Sequence, residues 1–441
     1  MEFRGTPVPY APPGDDTVTV FRGAIVGGQP ATSIVVRGQR IAAIVPDQSG
    51  PADADHVDLD GRFVIAGLID THQHIATPPD RADAEAVLAR QISGGVTAVR
   101  DMADDLRQIA DLARATLVGE IPGPDIRYAA LMAGPAFFDD PRTWQVSQGA
   151  IPGEVPWMQA ITPDTDLRLA VARAQGTGAT AIKIYADLPA AMVAAITAEA
   201  HRQQLQVWAH ATVFPAAPMD MVAAGVDVLS HVSLLPFQGE DLSQASYKNK
   251  PPIDYARFAG EDDPVMAALF AEMRARGTIL DATASMWTRY PADDEHGKNE
   301  HGKNEHGTNE HGTNEHGTND ERRKNMAALS IHLTRQAHRA GVEITTGTDY
   351  ELPADQAWPS LIEEMLFFNR ECGIPAADVI LAATRTAAAS AGVLDDMGTL
   401  APGKLANFVV VDGDPEADLT RLRSPHCTVK RGHPHFAKEP A

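Results

Sequence analysis

Two histidines, His72 and His74, follow closely on an apolar run that spans residues 64–69. Side chains two positions apart on a strand point to the same face, so both imidazoles can reach one metal ion at about 2.0–2.1 Å. Four further side chains that can bind a metal lie at or just past the ends of other apolar runs: Lys183, His210, His231 and Asp349. Six such side chains at strand ends indicate a metal-dependent hydrolase.

The chain around these side chains alternates short β-rich runs with helical segments, a pattern that is typical of a parallel sheet. The predicted strands are residues 63–69, 96–100, 125–130, 181–186, 205–210, 226–231, 278–282 and 342–346. The predicted helices are residues 82–93, 166–175, 189–203, 219–224, 265–276 and 325–340. This alternation suits a (β/α)8 TIM barrel, in which the active site lies at the C-terminal ends of the strands. The six candidate ligands lie at those ends.

Both ends of the chain have a different character, with short strands separated by glycine-rich turns. Residues 17–62 and 398–431 share this pattern and could pair into one small β-domain. The predicted fold is therefore α/β, a (β/α)8 TIM barrel plus a small β-sandwich built from both chain ends. The predicted boundaries are residues 1–64 and 392–441 for the two parts of the β-domain and 65–391 for the barrel.

Composition and charge exclude several classes of protein. The 441 residues carry a formal net charge of −22, and such a surface repels phosphate backbones, which disfavours nucleic-acid binding. The sequence has no apolar run long enough to predict a membrane span, and residues 1–14, with four prolines, do not resemble a signal peptide. Only Cys372 and Cys427 are present, too few for a disulfide framework, so we expect a cytoplasmic protein.

One low-complexity segment interrupts the barrel sequence. Residues 295–319 contain five copies of Glu-His-Gly-[Lys/Thr]-Asn, which hold five of the 16 histidines. Because the segment has nothing apolar to bury, it is predicted as a disordered or loosely ordered loop. It follows the seventh strand, on the rim that carries the candidate ligands. It could be an expanded loop without a role, or a loop that collects metal or gates the substrate.

The candidate ligands belong to a series of short motifs spread along the chain. These are Gly67-Leu-Ile-Asp-x-His-x-His, Gly95-Val-Thr-x-Val-Arg-Asp101, Ile182-Lys-Ile, His210, Gly225-Val-Asp-x-Leu-x-His231, Thr346-Gly-Thr-Asp349 and Gly398-Thr-Leu-Ala-Pro-Gly-Lys404. In this order they resemble the amidohydrolase superfamily. The nearest branch looks like the imidazolonepropionase-related amidohydrolases, which include prolidase-like and Xaa-Arg/Lys dipeptidase-like members. The resemblance covers about residues 17–431 and is more specific than a lone His-x-His.

The resemblance implies a binuclear metal centre. The expected ligands are His72 and His74 for the more buried ion, His210 and His231 for the second, Lys183 as a bridge, and Asp349 beside the attacking water. In many members the lysine is carboxylated, because a buried amine has a lowered pKa and its neutral form can add carbon dioxide. The expected cofactors are two divalent ions, Zn2+ by preference, and N6-carboxylysine at Lys183. A metal-activated hydroxide would attack the substrate, with Asp349 as general acid/base.

From the residues alone, several roles stay open. Each histidine could instead be a buried core residue with satisfied hydrogen bonds. Lys183 could pair with a carboxylate such as Asp187, or serve a one-metal site without carboxylation. Tyr185 shares the face of Lys183 on its strand and could bind the substrate or only pack. Asp101 could orient a ligand histidine from behind.

The expected reaction is hydrolysis of an amide C–N bond in a small substrate, such as a dipeptide or an N-acyl amino acid. One alternative is a mononuclear cyclic-amide hydrolase or deaminase of the imidazolonepropionase kind, against which Lys183 weighs. Another is a non-catalytic relative that kept the fold. In the loop of residues 133–163, Arg142, Trp144 and Trp157 could line a pocket or merely cover the barrel mouth. The resemblance also implies self-association into a homo-oligomer.

Overall fold

The computed structural model describes residues 8–47, 54–258, 262–289 and 319–436. Its strands are β1 (Val18–Val26), β2 (Gln29–Arg37), β3 (Arg40–Pro46), β4 (Asp55–Asp58), β5 (Phe63–Ala66), β6 (Leu68–Gln73), β7 (Val96–Asp101), β8 (Asp125–Ala133), β9 (Glu154–Val155), β10 (Met158–Ala160), β11 (Ala181–Ile184), β12 (Gln206–His210), β13 (Val228–Ser230), β14 (Ile279–Asp281), β15 (Ile344–Thr345), β16 (Phe408–Val411), β17 (Cys427–Lys430) and β18 (His433–Phe436). Its α-helices are α1 (Arg81–Ser93), α2 (Leu106–Leu117), α3 (Arg142–Gln145), α4 (Leu167–Gln175), α5 (Ala190–Arg202), α6 (Pro218–Ala223), α7 (Pro264–Arg276), α8 (Met286–Arg289), α9 (Asn319–Arg339), α10 (Ser360–Arg370), α11 (Ala376–Leu381) and α12 (Ala387–Ser390).

Eight parallel strands form a nearly closed barrel. Their order is β6, β7, β8, β11, β12, β13, β14 and β15, and each pairs in parallel with the next. Two backbone hydrogen bonds close the barrel between β15 and β6, from the N–H of Thr71 to the carbonyl of Thr346 (3.0 Å) and from the N–H of Asp349 to the carbonyl of His72 (2.9 Å). The strands are buried on both faces, which explains their continuous apolar runs. The predicted barrel is confirmed.

The first predicted barrel strand, residues 63–69, consists of two strands. β5 pairs antiparallel with β16 in the terminal domain, whereas β6 pairs with β7 in the barrel. The chain passes from one sheet to the other at Gly67, whose N–H donates to the carbonyl of Asn407 (3.0 Å). A Cβ at Gly67 would lie 2.2 Å from Oγ1 of Thr97, so no larger residue fits this junction. The apolar pattern could not reveal the break because both strands are apolar.

Strands from both chain ends form a second sheet outside the barrel. Its order is β18-β17-β16-β5-β1-β2-β3, with β4 paired to β1, so the predicted association of the two ends is confirmed. Phe21 and Phe408 meet edge to face, with ring centroids 5.0 Å apart, and both are fully buried. The buried amine of Lys430 on β17 lies 3.0 Å from the carboxylate of Asp125 on β8, which joins this domain to the barrel.

The helices that cover the barrel largely follow the sequence pattern. Four of them begin after an aspartate whose carboxylate accepts hydrogen bonds from first-turn N–H groups: Asp80 before α1, Asp105 before α2, Asp166 before α4 and Asp263 before α7. The predicted helices are observed within a few residues as α1, α4, α5, α6, α7 and α9. α10 was not predicted, because it is buried from Ser360 to Phe368 and lacks the polar stripe that marks a surface helix.

Several predictions fall outside what the structure describes. The low-complexity repeat, residues 295–319, lies outside the described residues except for Asn319, where α9 begins. Its predicted disorder and its two alternative roles stay predictions, as do the domain boundaries, the cytoplasmic location and the self-association. Within the described ranges, no helix is both long enough and apolar enough to cross a bilayer.

Candidate active site

The six predicted ligand side chains all lie at the C-terminal end of the barrel and line one pocket. They are His72 on β6 and His74 just after it, Lys183 on β11, His210 on β12, His231 after β13 and Asp349 after β15. His72, His74 and Asp349 each offer a ligand atom, and these atoms lie within 4.8 Å of one another. Three such donors around one point can hold a metal ion.

Asp349 stands among the histidines. Its Oδ1 lies 3.6 Å from Nε2 of His72 and 3.6 Å from Nε2 of His74, and its Oδ2 lies 3.8 Å from Nδ1 of His231. Asp349 (φ 58°) and His231 (φ 73°) both have left-handed backbone, which residues other than glycine adopt at a cost. Such strain persists only where the surrounding structure enforces it, and it is concentrated at functional sites.

Close packing brings the loop after β15 against β6. A Cβ at Gly347 would lie 2.1 Å from Oδ1 of Asp281 and 2.7 Å from Cβ of His72, so only glycine permits this approach. The buried carboxylate of Asp70 accepts hydrogen bonds from the N–H of His72 (3.1 Å) and from the hydroxyl of Thr348 (2.9 Å). Asp70 thereby connects the two segments that carry ligand side chains.

The two histidines of the His-x-His pair have opposite electrostatic surroundings. His72 is 2% exposed, and its Nδ1 lies 2.7 Å from the carboxylate of Asp281. Burial, together with the positive charge of Lys183, holds the pKa of His72 well below its usual value. His74 is 34% exposed, and its Nδ1 lies 2.8 Å from Asp104. Burial acts to lower its pKa, but Asp104 raises the pKa to about 9. Each carboxylate orients its imidazole through Nδ1 and leaves Nε2 available to a metal.

His210 and His231 lie next to each other in the pocket lining, with ring centroids 4.7 Å apart. Nδ1 of His231 lies 2.9 Å from the hydroxyl of Thr283. Nδ1 of His210 is buried and has no hydrogen-bond partner among the described residues, which is costly unless a ligand binds the ring. Burial and the charge of Lys183 hold the pKa of His210 well below its usual value, which keeps it neutral. Neutral imidazoles beside a carboxylate fit a divalent cation.

Lys183 is buried in the wall of the barrel, with 1% of its surface exposed. Its Nζ donates to the hydroxyl of Ser230 (3.4 Å), and within the described part of the chain it forms no ion pair with Asp187. Asp187 instead accepts a hydrogen bond from the N–H of Tyr247 (2.7 Å). Burial lowers the pKa of Lys183 to about 7, against the opposing effect of Asp281. These surroundings favour the neutral amine that carboxylation requires.

Tyr185 belongs to an aromatic side of the pocket. Its ring centroid lies 3.9 Å from that of His210 and 4.5 Å from that of Phe137. Tyr247 extends this side, 5.6 Å from Tyr185. Tyr185 therefore both packs and lines the pocket, so the two roles left open by the sequence are compatible.

The amidohydrolase family model matches residues 63–434, which is most of the chain. The chain belongs to the amidohydrolase family. An imidazolonepropionase of Micrococcus luteus is 34% identical over 98 residues, which are 21% of this chain and 24% of the relative. A dihydroorotase of Streptomyces coelicolor is 35% identical over 99 residues, which are 22% of each. This amidohydrolase thus spans less than a quarter of the length of these curated relatives.

Solved structures share the fold of this amidohydrolase over nearly its whole length. A Xaa-Pro dipeptidase with methionine bound in its active site has a TM-score of 0.67 and 21% identity, over 95% of this chain and 100% of that one. The ochratoxinase of A. niger has a TM-score of 0.69 and 19% identity, over 97% of each chain. At such identities the likeness shows the fold alone.

Two carboxylates of this amidohydrolase were missed by sequence reasoning. Asp281 ends β14 and binds His72, and Asp104 follows β7 and binds His74. Asp101, which the sequence suggested as a residue that orients a ligand, is not hydrogen-bonded to a ligand histidine; it accepts from the backbone N–H of Ile75 (3.1 Å). A signal for Asp281 was available, because it is a polar residue at the end of an apolar strand, like the ligands themselves.

Of the three side chains in the loop after the third barrel strand that could line the pocket, one does so. Arg142 lines the pocket. Trp144 is 55% exposed, and Trp157 is buried and donates its indole N–H to the carbonyl of Val146 (3.0 Å). The two tryptophans are therefore absent from the pocket lining.

Proposed function

We propose that this amidohydrolase is a metal-dependent hydrolase that cleaves an amide C–N bond of a small substrate, such as a dipeptide or an N-acyl amino acid. The observation that carries the proposal is the convergence of six side chains of metal-binding type on one pocket. Amidohydrolases generally use metal ions. The cluster of His72, His74 and Asp349, with ligand atoms within 4.8 Å of one another, supports such a site in this chain.

In the proposal, two divalent ions are held by side chains from different strands. The ligands are His72, His74 and Asp349 for one ion and His210 and His231 for the other, with Lys183 as the bridge. Carboxylation joins the neutral lysine nitrogen to the carbon of carbon dioxide and releases one proton, which creates an anion with two ligand oxygens. When bound, an ion of the zinc class lowers the pKa of its water to about 7 and polarises a carbonyl.

Asp349 would move the proton in this reaction. Its two carboxylate oxygens lie within 4 Å of nitrogens of three histidines, which supports a role in orienting the attacking water. It would take the proton from the water and deliver it to the nitrogen of the departing amine. Tyr185, whose ring contacts that of His210 at a tilt in the same pocket, would bind the substrate beside the scissile bond.

The choice of a dipeptide or an N-acyl amino acid is supported by solved neighbours of the same fold. One is described as a Xaa-Pro dipeptidase with methionine in its active site, and another as a prolidase in complex with N-methylphosphonate-L-proline. The second candidate is a cyclic-amide hydrolase or deaminase of the imidazolonepropionase kind, which the partial sequence matches favour. Lys183 in the pocket weighs against it, because the resemblance associates a lysine at this strand with a bridged pair of ions.

Metal content per chain, measured by elemental analysis, tests the proposal. We would use a variant that lacks residues 295–319, so that the repeat histidines cannot contribute, and would compare it with the same variant carrying Lys183→Ala. The expected result is about two divalent ions per chain, which fall to one or none when Lys183 is replaced. The metal-loaded protein would then be assayed on panels of dipeptides, N-acyl amino acids and cyclic amides.

Each outcome decides between the two candidates or against both. Two ions with hydrolysis of dipeptides or N-acyl amino acids support the proposal. One ion that is insensitive to Lys183→Ala, together with turnover of cyclic amides, would move the assignment to the second candidate. A protein that takes up no ion after refolding with zinc or manganese is not the enzyme proposed.

A further inference from the structure

Lys250 brings a positive charge to the outer part of the pocket. It lines the same pocket as the six ligand side chains and is half-buried. Its Nζ lies over the ring of Tyr247, 4.2 Å from the centroid, and 5.7 Å from the centroid of Phe214. Within the described part of the chain, it forms no ion pair with a carboxylate.

A tight turn positions this lysine. Ser246 and Asn249 exchange backbone hydrogen bonds, each 3.1 Å long, and so bring the two ends of the turn together. Inside the turn, the N–H of Tyr247 donates to the carboxylate of Asp187 (2.7 Å), which ties the turn to the segment after β11. Lys250 follows the turn directly, so its backbone is held beside the aromatic side of the pocket.

A second cation at the outer part of the pocket, Arg142, already has an anionic partner. Arg142 donates to both carboxylate oxygens of Asp140, at 3.1 and 2.7 Å, and to the hydroxyl of Tyr247 at 3.1 Å. Among the described residues, Lys250 has no such partner; the nearby Asp187 acts on it only at longer range. Burial lowers the pKa of Lys250 to about 8, and the neighbouring positive charges of Arg322 and Arg142 act in the same direction. An anionic group of the substrate would supply that missing partner.

We propose that Lys250 binds a free carboxylate of the substrate, so that the enzyme selects substrates that carry an anionic end beside the scissile amide. This inference rests on the proposed function and narrows its substrate class. Contacts between neighbouring rings lead from the ligands to the lysine: His210 to Tyr185 (3.9 Å), Tyr185 to Tyr247 (5.6 Å) and Tyr247 to Nζ of Lys250 (4.2 Å). The apolar body of a substrate would lie along these rings, with its carboxylate at the lysine.

A pair of ligands that cannot be hydrolysed tests this subsite. One is levulinate, in which a methylene replaces the N–H of N-acetylglycine, and the other is hexane-2,5-dione, a neutral analogue in which a methyl ketone replaces the carboxylate. Binding of both to the metal-loaded protein would be measured by calorimetry for the wild type, Lys250→Met and Lys250→Gln. Lys248→Met is the matched control, because Lys248 is an exposed lysine of the same turn. Thermal melting of each variant checks that it is folded.

The wild type should bind levulinate more tightly than hexane-2,5-dione. A hydrogen bond to a charged group contributes about 1.5–3 kcal/mol, so loss of Lys250 should weaken levulinate binding roughly 10- to 150-fold. Binding of hexane-2,5-dione to the Lys250 variants should match its binding to the wild type, and Lys248→Met should bind both ligands as the wild type does. If both Lys250 variants bind levulinate as the wild type does, or if Lys248→Met loses as much, Lys250 is not the carboxylate site.

The test is independent of turnover, so it separates this inference from the proposed function. Lys250-dependent binding of levulinate without hydrolysis of any amide in the panels would retain the subsite and overturn the proposed function. Hydrolysis of neutral and anionic amides at equal kcat/KM, unaffected by Lys250→Met, would retain the proposed function and overturn the subsite.

Discussion

The inner and outer sides of the pocket are held in different ways. The inner side consists of residues that are each at most 2% exposed, namely His72, Arg100, Lys183, Ser230 and Asp281. The outer side consists of Arg142, Tyr185, Tyr247 and Lys250, of which all but Tyr247 are half-buried. Charged hydrogen bonds connect the inner residues, whereas the outer ones are connected chiefly by ring contacts and a turn.

Asp281 is the centre of the inner side. It accepts hydrogen bonds from Nδ1 of His72 (2.7 Å), the guanidinium of Arg100 (3.1 Å) and the hydroxyl of Ser230 (3.0 Å). Arg100 also donates to the carbonyl of Thr71 (2.7 Å), one residue before His72. Charged hydrogen bonds in a dry interior are directional and strong, so this network fixes the ligand positions closely. That rigidity suits the part of the site where bonds are broken.

The outer side has looser geometry. Rings 4 to 6 Å apart tolerate small shifts more easily than charged hydrogen bonds do. Its positive charges, Arg142 and Lys250, lie at the rim rather than among the ligands. Under the proposed function, the inner side should govern metal binding and kcat, and the outer side should govern KM and the choice of substrate.

The largest effect is expected at Asp349, which we propose both as a metal ligand and as the general acid/base. Asparagine adopts left-handed backbone readily, so Asp349→Asn should keep the fold despite the φ of 58°. Because general acid–base catalysis contributes roughly 10²–10⁴-fold, kcat should fall by that factor while the melting temperature stays close to that of the wild type. The measurement is steady-state turnover of the metal-loaded protein beside a thermal melt. Retention of wild-type turnover would show that Asp349 is not the general acid/base of the reaction.

The next largest effect is expected at Asp281 and concerns the inner side alone. Asp281→Asn leaves the buried Arg100 without its ion-pair partner, which costs about 3–5 kcal/mol of the free energy of unfolding. It also loosens His72, so metal affinity should fall roughly 10- to 100-fold. Urea unfolding and metal titration measure the two effects. Asp104→Asn is the matched control, because Asp104 orients His74 but forms no ion pair with a guanidinium among the described residues. Equal losses of the free energy of unfolding in the two variants would contradict the importance given to the ion pair between Arg100 and Asp281.

The smallest effect is expected at Arg142, on the outer side. Arg142→Lys retains the charge but cannot donate to both oxygens of Asp140 and to Tyr247 at once. Loss of one net hydrogen bond, about 1 kcal/mol, predicts a rise in KM of roughly fivefold with kcat unchanged. Michaelis–Menten analysis on an anionic substrate measures it. A fall in kcat at constant KM would place Arg142 with the inner residues instead.

The site residues that were predicted share one property: a local sequence pattern reveals the position of each at a strand end. His72 and Lys183 were predictable because an apolar run locates a strand and its last polar residues locate the barrel mouth. Lys250 was not predictable, because it comes from a turn well beyond β13, and its place beside Tyr247 and Phe214 depends on how that turn packs. Asp104 was missed for a related reason. It follows β7 whereas His74 follows β6, so their contact joins two segments that are separate in the sequence.

The amino-acid sequence was sufficient to predict the alternation of strands and helices, the barrel, the association of the chain ends and the six candidate ligands, which all line the pocket. These follow from hydrophobic periodicity and from the order of motifs, both of which are properties of short segments. The three-dimensional arrangement was needed to show which carboxylate orients which histidine, where the chain leaves one sheet for the other at Gly67, and that Lys250 has no anionic partner among the described residues. Hydrogen bonds and burial depend on distances between segments far apart in the chain, and no local pattern encodes them.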